Sequence, residues 1–206
     1  SESNAVIYAN SVLGARTLKH PDYLDLFIAM TGRAPKSGVY LDDGRIAQTV
    51  ISVEIRNIEP DDLFWSIIGW VAGKLSPNNI PLIIGLEHLK PETDDLKALC
   101  AAFGTTSGAP MLHISGHTPE AHLPPASTAK SYFVDRDTLK QAWEALNKGK
   151  SLIDLVAVGS PHASFDEVKK IEGYFLNRKC HPKTTMIITV GRQTLRRLKQ
   201  AVSYTH

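Results

Sequence analysis

Asp154-Leu-Val-Ala-Val-Gly159-Ser-Pro-His162-Ala-Ser164-Phe-Asp-Glu167 is the stretch whose reading decides the fold. Residues 152–158, apolar apart from Asp154, read as a buried-type strand. Gly159 and Pro161 then shape a turn. Ser164, followed three residues later by Glu167, is a capping box, and it predicts a helix over 164–176. Strand, turn and helix in immediate succession make half of a βαβ unit. A strand over 186–190 and a helix over 193–202 complete it.

The same rhythm extends upstream. The unbroken apolar run 80–86 predicts a buried strand, 93–103 a helix and 110–115 a strand. Asp61 and Asp62 favour a helix start, and Leu63, Phe64, Ile67, Ile68 and Val71 form the apolar stripe of a helix over 61–75 that Pro77 ends. Residues 38–41 and 50–55 read as short strands around the turn signal Asp42-Asp43-Gly44. Residues 23–31 read as a helix with Leu24, Phe27 and Ile28 on one face and Gly32 as its stop. Residues 3–13 suit a helix, capped by Ser3 or Asn4, or a buried strand. Farther along, a strand is predicted near 132–134 and a helix over 137–146 with Asp137 as its cap. Alternation of this kind specifies an α/β fold with mainly parallel sheets. Residues 118–130, rich in Pro, His, Ala and Thr, read as a linker. The expected division is therefore an α/β domain over 1–123 and a second α/β subdomain over 124–206.

Composition narrows the function classes. The chain has 206 residues, 43% apolar and 21% charged, with a net charge of +2, so bulk electrostatics give no case for nucleic-acid binding. The basic run Arg192, Arg196, Arg197 and Lys199 reads as the solvated face of the last helix. The two cysteines, Cys100 and Cys180, are too few for a disulfide scaffold and fit a reducing, cytoplasmic setting. They are also fewer than the three or four that an iron–sulfur cluster normally takes. No signal peptide is visible and no apolar run is long enough to span a bilayer. Walker A, GxGxxG, GxSxG and HExxH patterns are all missing.

In parallel sheets, ligands sit at the carboxyl ends of strands, which directs attention to the loops 115–118, 159–164 and 190–192. Ser160 and His162 fall beside the free N–H groups of a helix start, a natural carboxylate cradle; alternatively His162 only bonds a neighbouring carbonyl. Arg192 opens a helix, where the macrodipole disfavours a cation; it is there for an anionic substrate or is an ordinary exposed arginine. The first line of the chain gathers Asn10, Ser11, Arg16 and Thr17. Asn and Ser can bind a hydroxylated substrate, and Arg can fork onto a carboxylate. That line starts abruptly, as if cut from a longer chain. His113 reads as a core histidine. His117, Glu120 and His122 offer acid and base groups on one loop, without metal-ligand spacing.

Four segments together carry a resemblance: Ala9-Asn-Ser-Val-Leu-Gly-Ala-Arg-Thr17 with the residues before it, Thr31-Gly-Arg-Ala-Pro35 with Asp25-Leu26 before it, Gly116-His-Thr-Pro-Glu-Ala121, and Gly159-Ser-Pro-His-Ala-Ser164. In this order they resemble the catalytic, large part of aconitase X. The resemblance implies a hydro-lyase of the aconitase superfamily that dehydrates a small hydroxylated carboxylate, cis-3-hydroxy-L-proline first and mevalonate 5-phosphate as the alternative. A degenerate module that only binds a partner subunit is the rival from another class. The resemblance also implies a small swivelling domain or subunit as partner, and iron or an iron–sulfur cluster held by cysteines. Here Ser160 stands where the family often carries Cys, and Ile188-Thr-Val190 holds no Cys where another is often found. Leu18-Lys19 stands where a more polar Asn-Arg pair is expected. On this reading Arg16 and Arg192 take the substrate carboxylate, Asn10, Ser11, Thr17 and Ser160 orient it and the hydroxyl, and His162 assists proton transfer.

Overall fold

The computed structural model describes residues 2–19, 22–55, 59–61 and 63–203. The chain divides into two compact units, Ser1–Leu146 and Asn147–His206. In unit 1 the helices are α1 (Glu2–Ser11), α2 (Asp22–Thr31), α3 (Phe64–Leu75), α4 (Thr93–Thr106) and α5 (Arg136–Leu146). The strands are β1 (Thr49–Val53), β2 (Pro81–Ile84), β3 (His113–Ile114) and β4 (Lys130–Val134). They form one four-stranded sheet in the order β3-β2-β1-β4, with every neighbour parallel. The expected α/β class with parallel sheets is what the chain adopts.

The helices pack as α1 on α4, α4 on α3 and α3 on α5, in the same sequence as the strands beneath them. This follows from β1-α3-β2-α4-β3 stepping one way across the sheet through right-handed crossovers. The core is built by Ile51 and Val53 of β1, Ile83 of β2, Trp65, Ile68 and Val71 of α3, and Leu99 and Phe103 of α4. The α3–α4 crossing is close because α3 carries glycine where the helices meet. A Cβ on Gly69 would lie 2.2 Å from the Leu99 carbonyl oxygen, and one on Gly73 would lie 2.0 Å from Thr106 Oγ1.

Several boundaries differ from the sequence reading. Residues 38–40 form a 3-10 turn rather than a strand: Gly38 has φ +54°, which bends the backbone out of the extended region. Asp61 lies before α3, and its carboxylate accepts the Leu63 and Phe64 amides at 3.1 and 2.9 Å where the helix starts. Asp135, not Asp137, caps α5, accepting the Thr138 amide at 2.8 Å and its hydroxyl at 2.7 Å. Since α1 begins at Glu2, Ser3 and Asn4 lie in its first turn. The Pro-rich segment leads into β4, which pairs with β1 along its length. Residues 124–146 thus belong to unit 1, and the chain divides at Leu146/Asn147, later than the 123/124 boundary expected. On α2, Tyr23, Leu26, Phe27 and Met30 are all at least half exposed, an i, i+3, i+4, i+7 apolar stripe turned to solvent.

Unit 2 holds β5 (Leu155–Ala163), α6 (Phe165–Tyr174), β6 (Thr185–Val190) and α7 (Arg192–Ser203). β5 and β6 are parallel. Ser164 caps α6 in the expected capping box, its hydroxyl accepting the Glu167 amide at 3.1 Å while Glu167 accepts the Ser164 amide at 2.7 Å.

Candidate functional site

Asn10 and Ser11 end α1 and are buried. Two short loops converge there, so buried backbone groups must find side-chain partners. Asn10 supplies three such bonds. Its Nδ2 donates to the Thr17 carbonyl at 2.8 Å and the Pro110 carbonyl at 3.1 Å, and its Oδ1 accepts the Thr17 amide at 2.9 Å. Ser11 Oγ accepts the Leu112 amide at 3.0 Å. These two residues fasten the loop over 12–17 to the segment entering β3, and present Arg16 and Thr17 at the surface. The Thr17 hydroxyl donates to Asp25 at 3.1 Å. Arg16 donates to the Tyr40 carbonyl at 2.8 Å and pairs with Asp42, whose side chain is 84% exposed. Lys19 spends its ammonium group on the Ser107 carbonyl, at 2.8 Å.

The centre of this cluster is Arg45, fully buried. Its Nε donates to Glu120 at 2.9 and 2.7 Å. Nη1 reaches the Ala15 and Val39 carbonyls, both at 3.1 Å. Nη2 reaches the Asn10 carbonyl at 2.8 Å and Glu120 at 2.5 Å. All five donors of the guanidinium are therefore engaged. Glu120 also faces Arg16 at 3.8 Å, so charges alternate along Asp42, Arg16, Glu120 and Arg45. Sequence reasoning passed over Arg45, which follows a turn signal and has no motif of its own; its partner lies 75 positions away. Arg16 is the cation of this cluster that solvent reaches.

His113 is buried. Its Nε2 donates to the Arg45 carbonyl at 2.7 Å, while Nδ1 has no partner among the described residues. Burial pushes its pKa below the ordinary imidazole value, opposed by the Arg45 carbonyl and Glu120 and reinforced by the charges of Arg45 and His122. The unfolded chain thus takes up this proton more readily. The resulting stability is present above about pH 6.5 and is lost as the pH falls below it. Urea denaturation at pH 7.5 and 5.5 is expected to give a lower midpoint at 5.5, with His113→Gln flattening that difference.

In unit 2, Ser160 and His162 lie within β5 and are exposed. Val158 pairs with Ile188 and Ala163 with Val190, so residues 159–162 bulge opposite Thr189 alone. Gly159 makes the excursion possible: its φ is +111°, and a Cβ there would lie 2.4 Å from the Thr189 carbonyl oxygen. Arg192 is the exposed first residue of α7. The Ala163–Val190 pairing puts Ser160, His162 and Arg192 at one end of the two-stranded sheet, where a carboxylate could be bound.

The chain's own cysteines do not fit a cluster. Cys100 is buried in the core of unit 1, and burial pushes its thiol pKa up to about 12, which disfavours the thiolate that a metal takes. Cys180 is exposed in unit 2. Among the described residues no group of three or more His, Cys, Asp or Glu side chains is arranged to hold a metal ion. No described helix is long and apolar enough to cross a membrane.

Comparison with known proteins gives a consistent picture. The family models for the aconitase X first, second and third domains match residues 1–43, 47–144 and 153–205. A cis-3-hydroxy-L-proline dehydratase of Pseudomonas aeruginosa is 42% identical over 98% of this chain and 36% of its own length. One from Hypocrea jecorina is 39% identical over 94% of this chain and 34% of its own. The phosphomevalonate dehydratase large subunit of Thermococcus kodakarensis is 35% identical over 100% of this chain and 52% of its own. The crystal structure of Thermococcus kodakaraensis aconitase X in its holo-form superposes with a TM-score of 0.81 at 34% identity, over 98% of this chain and 51% of the other. The chain thus spans between a third and a half of the relatives' length.

Proposed function

Because this chain belongs to the aconitase X family, we propose that it forms part of a hydro-lyase that dehydrates a small hydroxylated carboxylate, with cis-3-hydroxy-L-proline as substrate. The observation that carries this reading is the 42% and 39% identity to two cis-3-hydroxy-L-proline dehydratases. Mevalonate 5-phosphate is the second reading, supported by the large-subunit relative that matches the chain over 100% of its length. A small swivelling domain or subunit completes the enzyme; relatives named as large subunits support this. Unpaired cysteines support a cytoplasmic setting.

Dehydration beside a carboxylate removes a proton from the α-carbon. The freed electron pair becomes a carbon–carbon double bond as the C–O bond breaks, and the hydroxyl leaves as water once protonated. Three tasks follow for the chain: fix the carboxylate, hold the hydroxyl and move a proton. Arg16 in unit 1 and Arg192 in unit 2 are each proposed as a carboxylate-binding group. At Arg16 the substrate carboxylate replaces that of Asp42, one carboxylate for another, at little cost because an exposed ion pair is worth about 0–1 kcal/mol. Ser160 orients the hydroxyl and His162 assists proton transfer. Asn10, Ser11 and Thr17 act by holding the Arg16 loop in place.

The test is turnover of cis-3-hydroxy-L-proline, and separately of mevalonate 5-phosphate, by the intact protein with its small domain or subunit. Formation of a pyrroline carboxylate supports the reading; turnover of the phosphorylated substrate alone replaces it with the second. Arg16→Ala and Arg192→Ala are each expected to raise KM roughly tenfold or more, the worth of a charge-assisted hydrogen bond at about 1.5–3 kcal/mol. An unchanged KM in either variant removes that arginine from carboxylate binding.

A further inference from the structure

The carboxyl ends of β2 and β3 carry a second group of side chains that the roles above do not use. Gly85-Leu86-Glu87 leaves β2, and Ser115-Gly116-His117 leaves β3. Both Glu87 carboxylate oxygens accept the Gly85 amide, at 3.1 and 2.9 Å, and the side chain is thereby folded back over the strand end. Gly116 lets the loops meet: it has φ +77°, and a Cβ there would lie 3.4 Å from Glu87 Cβ and Cγ. The half-buried His117 ring stands edge-on to Trp65, 6.4 Å between centroids.

The imidazole tautomer is fixed by its neighbour. His117 Nε2 lies 2.9 Å from the Leu86 carbonyl, and a carbonyl can only accept, so Nε2 carries the hydrogen in the neutral ring. Nδ1 is left as a lone-pair acceptor to which no described residue donates. Burial raises the Glu87 pKa, but the amides of Glu87 and Gly85 and the Ser115 hydroxyl, with the charge of His117 in its protonated form, outweigh it and leave the carboxyl below its ordinary value; the acceptor at Nδ1 belongs to the neutral ring. Glu87 is exposed and is thus a standing anion. Two further carboxylates, Glu54 and Asp135, leave the same edge of the sheet directly after β1 and β4. The edge offers acceptors and negative charge, the complement of a cationic N–H donor and the opposite of what a phosphate needs.

We propose that Glu87 and His117 Nδ1 form an ammonium-binding site, which selects substrates bearing a protonated amine and disfavours phosphorylated ones. The proposal rests on the dehydratase reading and deepens it: a hydroxyproline carries a secondary ammonium group beside its carboxylate, and mevalonate 5-phosphate carries none. Glu87 supplies the charge and one hydrogen-bond acceptor. His117 Nδ1 supplies the second acceptor, aimed by the Leu86 carbonyl, so that both N–H bonds of a secondary ammonium are met.

Binding and turnover separate this proposal from the reading on which it rests. In the intact protein, calorimetric affinities for L-proline and for cyclopentanecarboxylate, which differ by the ammonium group, are compared in wild type, Glu87→Gln and His117→Gln. Wild type is expected to bind L-proline roughly tenfold more tightly, and Glu87→Gln to abolish most of that preference, as loss of one charge-assisted hydrogen bond implies. In turnover, Glu87→Gln should raise KM for cis-3-hydroxy-L-proline about tenfold with kcat within about threefold. An unaltered thermal midpoint shows that the variants are folded, as expected for an exposed carboxylate. Equal affinity of wild type for both ligands overturns the proposal even if hydroxyproline is turned over. An amine preference in wild type that both variants retain overturns it equally. An amine preference lost in Glu87→Gln, in a protein that does not dehydrate hydroxyproline, upholds the site and rejects the substrate.

Discussion

Replacing Arg45 by methionine is expected to destabilise unit 1 by about 3–5 kcal/mol, the cost of breaking a buried ion pair by removing one partner. The guanidinium is fully buried and ties Glu120 to the carbonyls of Asn10, Ala15 and Val39. Methionine fills much of the volume but leaves the Glu120 carboxylate, 21% exposed, without its strongest partner and three carbonyls without donors. Each orphaned buried acceptor adds a desolvation penalty. Arg45→Lys does not rescue this, because an ammonium has three donors and no planar fork. Urea unfolding monitored by tryptophan fluorescence reads the effect. The double variant Arg45→Met, Glu120→Gln should recover part of the loss, since the stranded charge is then gone. A loss below 1 kcal/mol in the single variant would show that the cluster contributes little to the fold.

Gly69→Ala has the second large effect. The α3–α4 crossing is the main helix–helix contact of unit 1, and the new methyl would sit 2.2 Å from the Leu99 carbonyl oxygen. That oxygen is backbone and cannot swing aside, so the helices must separate. Alanine otherwise favours a helix by about 1 kcal/mol over glycine, and the overpacking penalty of about 1–3 kcal/mol opposes it. The sign decides which wins. A lowered denaturation midpoint is expected, with a smaller shift in Gly191→Ala as comparison, where nothing lies within 4 Å of the new carbon. A raised midpoint for Gly69→Ala would mean that the crossing relaxes freely.

The fold was legible where one residue's chemistry decides a local structure. The Ser164–Glu167 capping box needs only its own four residues, and it is present as read. The run ending at Leu86 gave β2 because an uninterrupted apolar run fits a strand covered on both sides. Legibility failed where distant parts decide. Val39, Tyr40 and Leu41 look like strand formers, yet the glycine before them takes a positive φ and Val39 points into a small cluster with Ile80 and Met111. The Pro-rich segment looked like a linker because its proline content was visible and the β1–β4 pairing was not. Of the candidate residues, Thr17 meets Asn10, while Arg16 turns to Tyr40 and Asp42 and Ser11 to Leu112. Arg45 and Glu87 were invisible, since each draws its meaning from a loop contributed by another strand.

The pairing of Thr49 with Lys130 and Val53 with Val134 also sets an order of events in time. A ribosome releases β1 and β2 well before β4, so β1 waits with one edge unpaired while the rest of unit 1 is still being made. Such an edge is a template for pairing with another chain. A nascent chain halted before residue 130 therefore leaves the β1 edge without its β4 partner, however complete its helices are. The last strand of unit 1 to emerge is the one that turns β1 from an edge into an interior strand.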